Sequence, residues 1–266
     1  MTGKNILFGT LVILLSLICP GCSNLSLQNG VNKDISGIIS GRDGTAMVFI
    51  PAGEFMMGTP PGTGSPDEEP QRKVYLDAYY IDSHEVTVAQ YRRFCRESER
   101  KMPEPPPWGW VEKHPMVMVS WQDASDYALH YGKRLPTEAE WEKACRAGSS
   151  ALYHYGNRET ELDNFAWYRD NSCEITHPVS TKAPNEWGIY DMLGNVWEWC
   201  SDWYSEDYYK HAPFRNPAGP GSGTFKVMRG GGWPVNAFFC RCANRYRVTP
   251  ESGNMFSGFR CAVSAP

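Results

Sequence analysis

The sequence predicts an α+β domain with little regular secondary structure, on the basis of composition and short local patterns. Glycine (25) and proline (20) are frequent among the 266 residues, and both favour turns over long helices or strands. Hydrophobic residues make up 41% and aromatic residues 13%, so a core can form without long regular elements. The near balance of 26 basic and 30 acidic residues argues against a nucleic-acid partner, which needs a concentrated basic face.

The N-terminal segment has the pattern of an export signal. Lys4 precedes an apolar run from Ile6 to Ile18, which is short for a bilayer-spanning helix but fits a signal peptide. Small residues followed by a cysteine are the usual mark of a bacterial lipoprotein. We therefore predict a lipoprotein signal peptide over 1–22, with Cys22 as the lipid acceptor that joins the chain to a membrane. Ordinary signal cleavage and an uncleaved anchor are the alternatives, and Ser23 favours export to the outer membrane.

The next segment, 23–45, is rich in serine, asparagine and glycine and holds few aromatic residues. This composition predicts a flexible tether. The folded domain is predicted over 46–266. Its first strand is expected at Met47–Pro51, with Gly53–Gly58 as the hairpin partner, and Lys73–Asp82 has the composition of a further strand.

Three short helices are predicted from capping boxes, in which a Ser or Thr at the helix start is followed three residues later by an acidic residue or Gln. The three starting residues are Thr87, Ser120 and Thr137. In the third helix, Glu138 and Glu140 occupy the first turn, where capping and the helix dipole favour carboxylates. From residue 151 onward the periodicity fades, so order there is expected to come mainly from aromatic burial and backbone hydrogen bonds.

If the chain is exported, its cysteines lie in an oxidising compartment, where disulfides can form. Seven remain beyond Cys22, and an odd number leaves at least one unpaired if the others form disulfides. The spacing of Cys240 and Cys242 would place both on one face of a strand. Two disulfide halves, one half with a buried thiol, and a metal or redox pair are the interpretations of this spacing.

Seven sequence strings together resemble the sulfatase-modifying-factor, or formylglycine-generating enzyme, family. They occur in the family's order and cover nearly all of 46–266, so the set is far more specific than any one string. The strings are MVFIPAGEFMMG (47–58), YYIDSHEVT (79–87), HPMVMVSW (114–121), GKRLPTEAEWE (132–142), GIYDMLGNVWEW (188–199), RGGG (229–232) and GFRC (258–261).

The resemblance implies a C-type-lectin-like variant of the formylglycine-generating enzyme fold. Enzymes of this family oxidise a cysteine of a client sulfatase to formylglycine, using O₂ and copper held by two thiolates. The family also includes iron enzymes, pigment-maturation proteins and gliding-machinery lipoproteins, so the fold alone does not determine the chemistry.

The resemblance also implies calcium as a cofactor. The family's pattern transfers to the side chain of Asp191, the carbonyls of Gly194 and Val196, and the side chain of Glu198. These are the oxygen donors that calcium prefers. The alternative is that Asp191 and Glu198 cap the turn without a metal. A second site would use Asn164 and the carbonyl of Phe165.

The family's disulfide transfers to Cys145 and Cys242, but its copper site does not transfer. The family has a serine and a first catalytic cysteine where this chain has Gly232 and Val235. Counting without gaps places the second catalytic cysteine at Cys240, and a gap placed earlier would remove it from that role. At most one thiolate therefore remains where copper(I) needs two soft ligands.

These observations leave three functional hypotheses. The first is an envelope lipoprotein whose domain has lost the copper pair and binds an exported protein, peptide or glycan partner. Its candidate contact residues, with core packing as the alternative role, are Trp108, Trp110, Trp233, Phe238 and Phe239. The second is a copper- and O₂-dependent oxidase that forms formylglycine on an exported protein, with Cys240 as the catalytic residue. The third is a structural subunit of an envelope machine.

Overall fold

The structure, a computed structural model, describes residues 37–266. The predicted signal peptide and Cys22 lie outside these residues. Within 37–266, no helix combines the length and apolar character needed to cross a membrane. Four helices are present: α1 (Val88–Glu97), α2 (Trp121–His130), α3 (Glu138–Arg146) and α4 (Tyr208–His211). The strands are β1 (Ile38–Ser40), β2 (Ala46–Ile50), β3 (Gly53–Met57), β4 (Arg72–Leu76), β5 (Tyr79–Asp82), β6 (Trp197–Trp203), β7 (Lys226–Arg229), β8 (Tyr246–Val248), β9 (Ser257–Gly258) and β10 (Ala262–Ser264).

All three predicted helices are present, and each begins with the predicted capping box. In α3, the hydroxyl of Thr137 accepts from the backbone N–H of Glu140, whose carboxylate accepts from the N–H of Thr137 in return. Glu138 also lies in the first turn, as predicted, but its carboxylate does not cap the helix start. Its carboxylate is buried and accepts from the guanidinium of Arg245 at 2.7 and 3.0 Å, because α3 lies inside the domain with no solvent-facing side.

The first sheet has the strand order β1-β2-β5-β10, with every neighbouring pair antiparallel. It joins the two ends of the described chain, since β1 is its first strand and β10 its last. Ile38–Ser40 pairs with β2, so the ordered domain begins before the predicted boundary at residue 46. The physical reason is that Ile39 adds a buried apolar side chain to a small cluster with Met47 and Tyr80.

The predicted hairpin of the first two strands is wrong. β2 lies between β1 and β5, whereas β3 pairs with β4 in a separate two-stranded sheet. The predicted strand over residues 73–82 is divided into β4 and β5, which belong to different sheets. The direction changes at Asp77, whose backbone N–H donates to the side chain of Asn216 at 2.9 Å.

The second half of the domain is irregular up to residue 196, apart from one 3₁₀ turn at Glu159–Asn164. It then forms a four-stranded sheet in the order β8-β7-β6-β9, which is more regular than the sequence predicts. Two buried apolar clusters form the core. Trp141 of α3 is fully buried in one, and Trp197 and Trp199 of β6 are buried in the other.

Candidate functional site

The position of the family's first catalytic cysteine is occupied by Val235, which packs against both core clusters. Its backbone carbonyl accepts from the N–H of Arg169 at 2.9 Å. This side chain offers no metal ligand, and Gly232 offers no side-chain oxygen. The position of the family's first catalytic cysteine therefore carries an apolar side chain in this chain.

Cys240, the candidate for the second catalytic cysteine, is fully buried. It ends a 3₁₀ turn (Ala237–Cys240), so the geometry expected for a strand does not apply to Cys240 and Cys242. Burial raises the pKa of the Cys240 thiol to about 12, although the nearby N–H of Gly232 favours the thiolate. At neutral pH this sulfur therefore carries its proton, which copper binding would have to displace.

Cys242 lies beside Cys145 of α3. The two thiols are within hydrogen-bonding range, and both are buried. Both are free thiols in the structure, as are all seven cysteines of residues 37–266. The predicted disulfide therefore stays a prediction, but the two sulfurs that it requires are neighbours in the fold.

A groove opens beside the 233–235 segment, with a volume of about 640 Å³. Trp108 and Trp233 form one wall, with ring centroids 5.6 Å apart and an edge-to-face angle of 86°. The indole N–H of Trp233 donates to the carbonyl of Met255 at 3.0 Å, and Ser172 donates to the carbonyl of Trp233 at 2.9 Å. The remaining lining residues are Pro107, Arg169, Cys173, Glu174, Ile175 and Pro234.

The five candidate contact aromatics do not lie together. Trp108 and Trp233 line the groove, whereas Trp110 packs against the second core cluster. Phe238 and Phe239 are 44% and 37% exposed but are not part of the groove wall. The sequence analysis missed Cys173, an exposed thiol in the groove. No spacing pattern marks Cys173, because the loop that carries it has no periodicity.

The predicted ligands of the first calcium site do not fit the ion as a group. Both carboxylate oxygens of Glu198 accept from the guanidinium of Arg260 at 2.7 Å, and one also accepts from the indole N–H of Trp141 at 2.7 Å. The side chains of Glu198 and Arg260 are fully buried. A calcium ion at this turn would therefore have to share the Glu198 carboxylate with Arg260 and Trp141.

Asp191 is better placed to meet a cation. It is buried, and one carboxylate oxygen accepts from the backbone N–H of Ser180 at 2.6 Å. Burial raises its pKa, and the Ser180 hydrogen bond and Arg260 oppose that shift. Its carboxyl faces that of Glu85, a residue within one of the family-like strings that the sequence analysis did not single out. Among residues 37–266, no group of three or more His, Cys, Asp or Glu side chains is arranged as a metal site.

The residues of the second predicted calcium site are engaged in local structure. Asn164 ends the 3₁₀ turn, and its carbonyl accepts from the N–H of Ala183 at 2.9 Å. The ring of Phe165 stacks on Tyr155 with a centroid distance of 4.4 Å. Neither residue is joined there by a carboxylate that had been named as a calcium ligand from the sequence.

Known proteins of one family resemble this chain over most of its length. The family model of the sulfatase-modifying factor enzyme 1-like domain matches residues 39–265. A protein named serine/threonine-protein kinase pkn1 from Chlamydia pneumoniae is 38% identical over 82% of this chain, but this chain spans only 38% of that protein. The formylglycine-generating enzyme of Streptomyces coelicolor is 35% identical, with coverage of 84% of this chain and 91% of that enzyme.

The solved structures agree with these sequence relatives. PvdO from Pseudomonas aeruginosa matches 88% of this chain and 100% of its own, with a TM-score of 0.79 and 27% identity. Treponema denticola variable protein 1 matches 83% of this chain and 95% of its own, with a TM-score of 0.72 and 27% identity. These matches confirm the predicted fold, the C-type-lectin-like variant with few regular elements. The chain therefore belongs to the sulfatase-modifying-factor, or formylglycine-generating enzyme, family.

Proposed function

We propose that this chain is a non-catalytic member of its family that binds an extended peptide segment of an exported protein in the groove at Trp108 and Trp233. The observation that carries the proposal is the state of the copper position. Val235 replaces one thiolate, and the other candidate, Cys240, is a buried protonated thiol. A linear site for copper(I) requires two soft ligands, and this chain retains at most one.

The groove supports a peptide as the partner. Its volume of about 640 Å³ lies within the range of binding clefts, and aromatic-lined grooves are one of the kinds of site that hold extended peptides. Arg169 and Glu174 at its edge offer one charge of each sign. We expect an apolar or proline side chain to lie between Trp108 and Pro234, with polar groups of the peptide facing the charged edge.

Membrane attachment and export are part of the proposal. Lipidation at Cys22 would hold the domain at the outer membrane, where its partner would be another exported protein. This is compatible with either a binding role or a part in envelope assembly. A relative from mouse that is named an inactive Cα-formylglycine-generating enzyme is 32% identical over 83% of this chain, which supports the idea that the fold is also used without catalysis.

The second candidate function is a copper- and O₂-dependent oxidase that converts a cysteine of an exported protein to formylglycine. The observation that favours it is the extent of similarity to proteins of that name, at 35% identity over 91% of the Streptomyces coelicolor enzyme. This function would require Cys240 to act with a second sulfur donor. Calcium and copper would then both be cofactors of the chain.

A copper titration separates the two functions. The purified chain would be titrated with copper(I) and assayed for O₂-dependent aldehyde formation on a peptide containing Cys-x-Pro-x-Arg. We expect no aldehyde and no tight copper binding at this position, because Cys240 is the one sulfur there; the substitution Cys145→Ser removes the neighbouring Cys145 and Cys242 sulfurs as a second pair of ligands. The variant Val235→Cys, with Gly232→Ser, serves as the positive control and should gain copper affinity. Tight binding and turnover by the wild type would establish the oxidase instead.

A peptide-binding experiment tests the groove. A random peptide library would be selected on the wild-type chain, and the affinities of the enriched peptides would be measured. Trp108→Ala should weaken them at least tenfold, since a groove wall is lost. Phe214→Ala is the matched control, because Phe214 is an exposed aromatic (49%) outside the groove. Equal affinities for both variants, or no enriched sequence, would contradict the proposal.

A further inference from the structure

A second cavity of the described domain, which shares no lining residue with the groove, contains a buried amine. Its volume is about 350 Å³, and it lies between the start of β3, the end of α3 and the segment that holds Trp187. Phe55 and Trp187 give it an apolar wall, and both rings pack against the first core cluster. The amine belongs to Lys143 of α3, which lines the cavity and is only 4% exposed.

The amine of Lys143 has hydrogen-bond partners but no counter-charge. It donates to the carbonyls of Pro51 at 2.7 Å and of Gly53 at 3.0 Å, which use two of the three N–H donors of an ammonium group. Burial lowers the pKa of this amine, and no carboxylate of residues 37–266 offsets that shift. Because a buried charge without a counter-charge is costly, the remaining donor favours an anion from outside the chain.

The other charged side chains that line the cavity already have partners of opposite charge. The guanidinium of Arg146 donates to the carboxylate of Glu142 at 2.8 Å, and its remaining nitrogens donate to backbone carbonyls. Glu54 is the one carboxylate among the described lining residues, and it is half exposed and pairs with Lys73 at 3.0 Å. Lys143 is therefore the group of this cavity that can neutralise an incoming anion.

We propose that this cavity binds a small carboxylate with a flat apolar body, such as an aromatic acid, and that Lys143 is its anion partner. The volume lies within the range of small-ligand sites, which combine an apolar lining with a few polar groups. The free N–H of Lys143 would donate a charge-assisted hydrogen bond to the carboxylate, while Phe55 and Trp187 would cover the apolar body. The site is separate from the peptide groove and from the copper position, so it depends on neither candidate function.

The competing role of Lys143 is purely structural. Its two carbonyl contacts hold the turn between β2 and β3 against α3, and the last turn of a helix is a favourable place for a cation even without a ligand. In that role the amine would not discriminate between a charged and an uncharged ligand. The charge of the ligand therefore separates the two roles.

The test compares benzoate with benzamide, which has nearly the same shape but no charge. Calorimetric titration of the full wild-type chain should give saturable benzoate binding with a Kd of about 1 mM, and benzamide should bind about tenfold more weakly or less. Benzoate should also slow the acetylation of Lys143 by acetic anhydride and leave that of Lys113, an exposed lysine outside the cavity, unchanged. Both measurements use the wild type, so they do not depend on the folding of a variant.

Lys143→Met keeps an unbranched side chain of similar length but removes the charge. It should weaken benzoate binding about tenfold or more and leave benzamide binding unchanged, whereas the matched control Lys113→Met should bind both ligands as the wild type does. Trp187→Ala should weaken both ligands, because it removes part of the apolar wall. Equal affinities of the wild type for benzoate and benzamide, full benzoate affinity in Lys143→Met, or no saturable benzoate binding would overturn the assignment.

Discussion

Cys173 and Cys240 differ in their access to solvent. Cys173 is exposed in the wall of the groove, whereas Cys240 is sealed beneath the backbone of Gly231 and Gly232. A Cβ atom at Gly231 would come within 2.8 Å of the Cys240 sulfur, so the glycine permits this close cover. The two thiols should therefore react with an alkylating reagent at very different rates.

We predict that iodoacetamide modifies Cys173 and not Cys240 in the native chain at pH 7.5. The thiolate is the reactive form, and burial keeps Cys240 both protonated and inaccessible. Peptide mapping by mass spectrometry would measure the label at each position, before and after unfolding in guanidinium. Cys173→Ser is the control and should remove the native label. Labelling of Cys240 at a similar rate would mean that the sulfur opens to solvent and remains available for catalysis.

The substituted copper position could be predicted from the sequence, because a valine cannot act as a thiolate in any fold. The state of Cys240 could not be predicted in the same way. Its burial depends on the 3₁₀ turn and on the glycine backbone that covers it, which are not periodic features.

At the scale of elements, the three longer helices are the part of the fold that local sequence determines most directly. Each has a hydroxyl residue at its start and a reciprocal side chain three residues on. Strand pairing was less predictable. β2 and β3 follow one another in sequence, but β2 pairs with β1 and β5 and β3 pairs with β4. Strand pairing depends on packing contacts between residues that are far apart in the sequence. A short stretch of sequence does not contain both partners of such a contact.

We predict that Thr137→Ala lowers the free energy of unfolding by about 1 kcal/mol, because the N–H of Glu140 loses its acceptor inside a buried helix. Urea unfolding followed by circular dichroism would measure the change. Thr137→Ser retains the hydroxyl and should remain close to the wild type. If both variants lose the same free energy, the methyl group of Thr137, and not its cap, is the stabilising feature.

At the scale of the whole molecule, one ionic cluster connects the two ends of the domain with its middle. The amine of Lys133 is buried and donates to Asp43 and to Asp82, with each closest distance at 2.7 Å. Asp43 also accepts from the hydroxyl of Tyr127 at 3.0 Å, and Asp82 accepts from the backbone N–H of Cys261 at 2.9 Å. The N-terminal segment, α2, β5 and the C-terminal segment therefore meet at one amine.

The sequence could not reveal this cluster, because Asp43 lies in a stretch whose composition is typical of a tether. Composition reports the average character of a segment, whereas individual contacts of Ile39 and Asp43 hold this segment in the fold. The match to the family model likewise begins at residue 39 and not at the predicted boundary of 46. The residues that β1 and Asp43 contribute are part of the domain itself.

We predict that Asp43→Ala lowers the free energy of unfolding by about 3 kcal/mol, which corresponds to roughly 6–12 °C in melting temperature. The reason is that the buried amine of Lys133 loses one of its two carboxylates and is left only partly compensated by Asp82.

Asp77→Ala is the matched control. It removes an aspartate that pairs with Arg215 but is 53% exposed, and exposed pairs contribute little, so its melting temperature should change by about 4 °C at most. Calorimetry of the two variants beside the wild type would measure both shifts. Similar small shifts in both would mean that 37–45 does not hold the domain together and behaves as part of the tether.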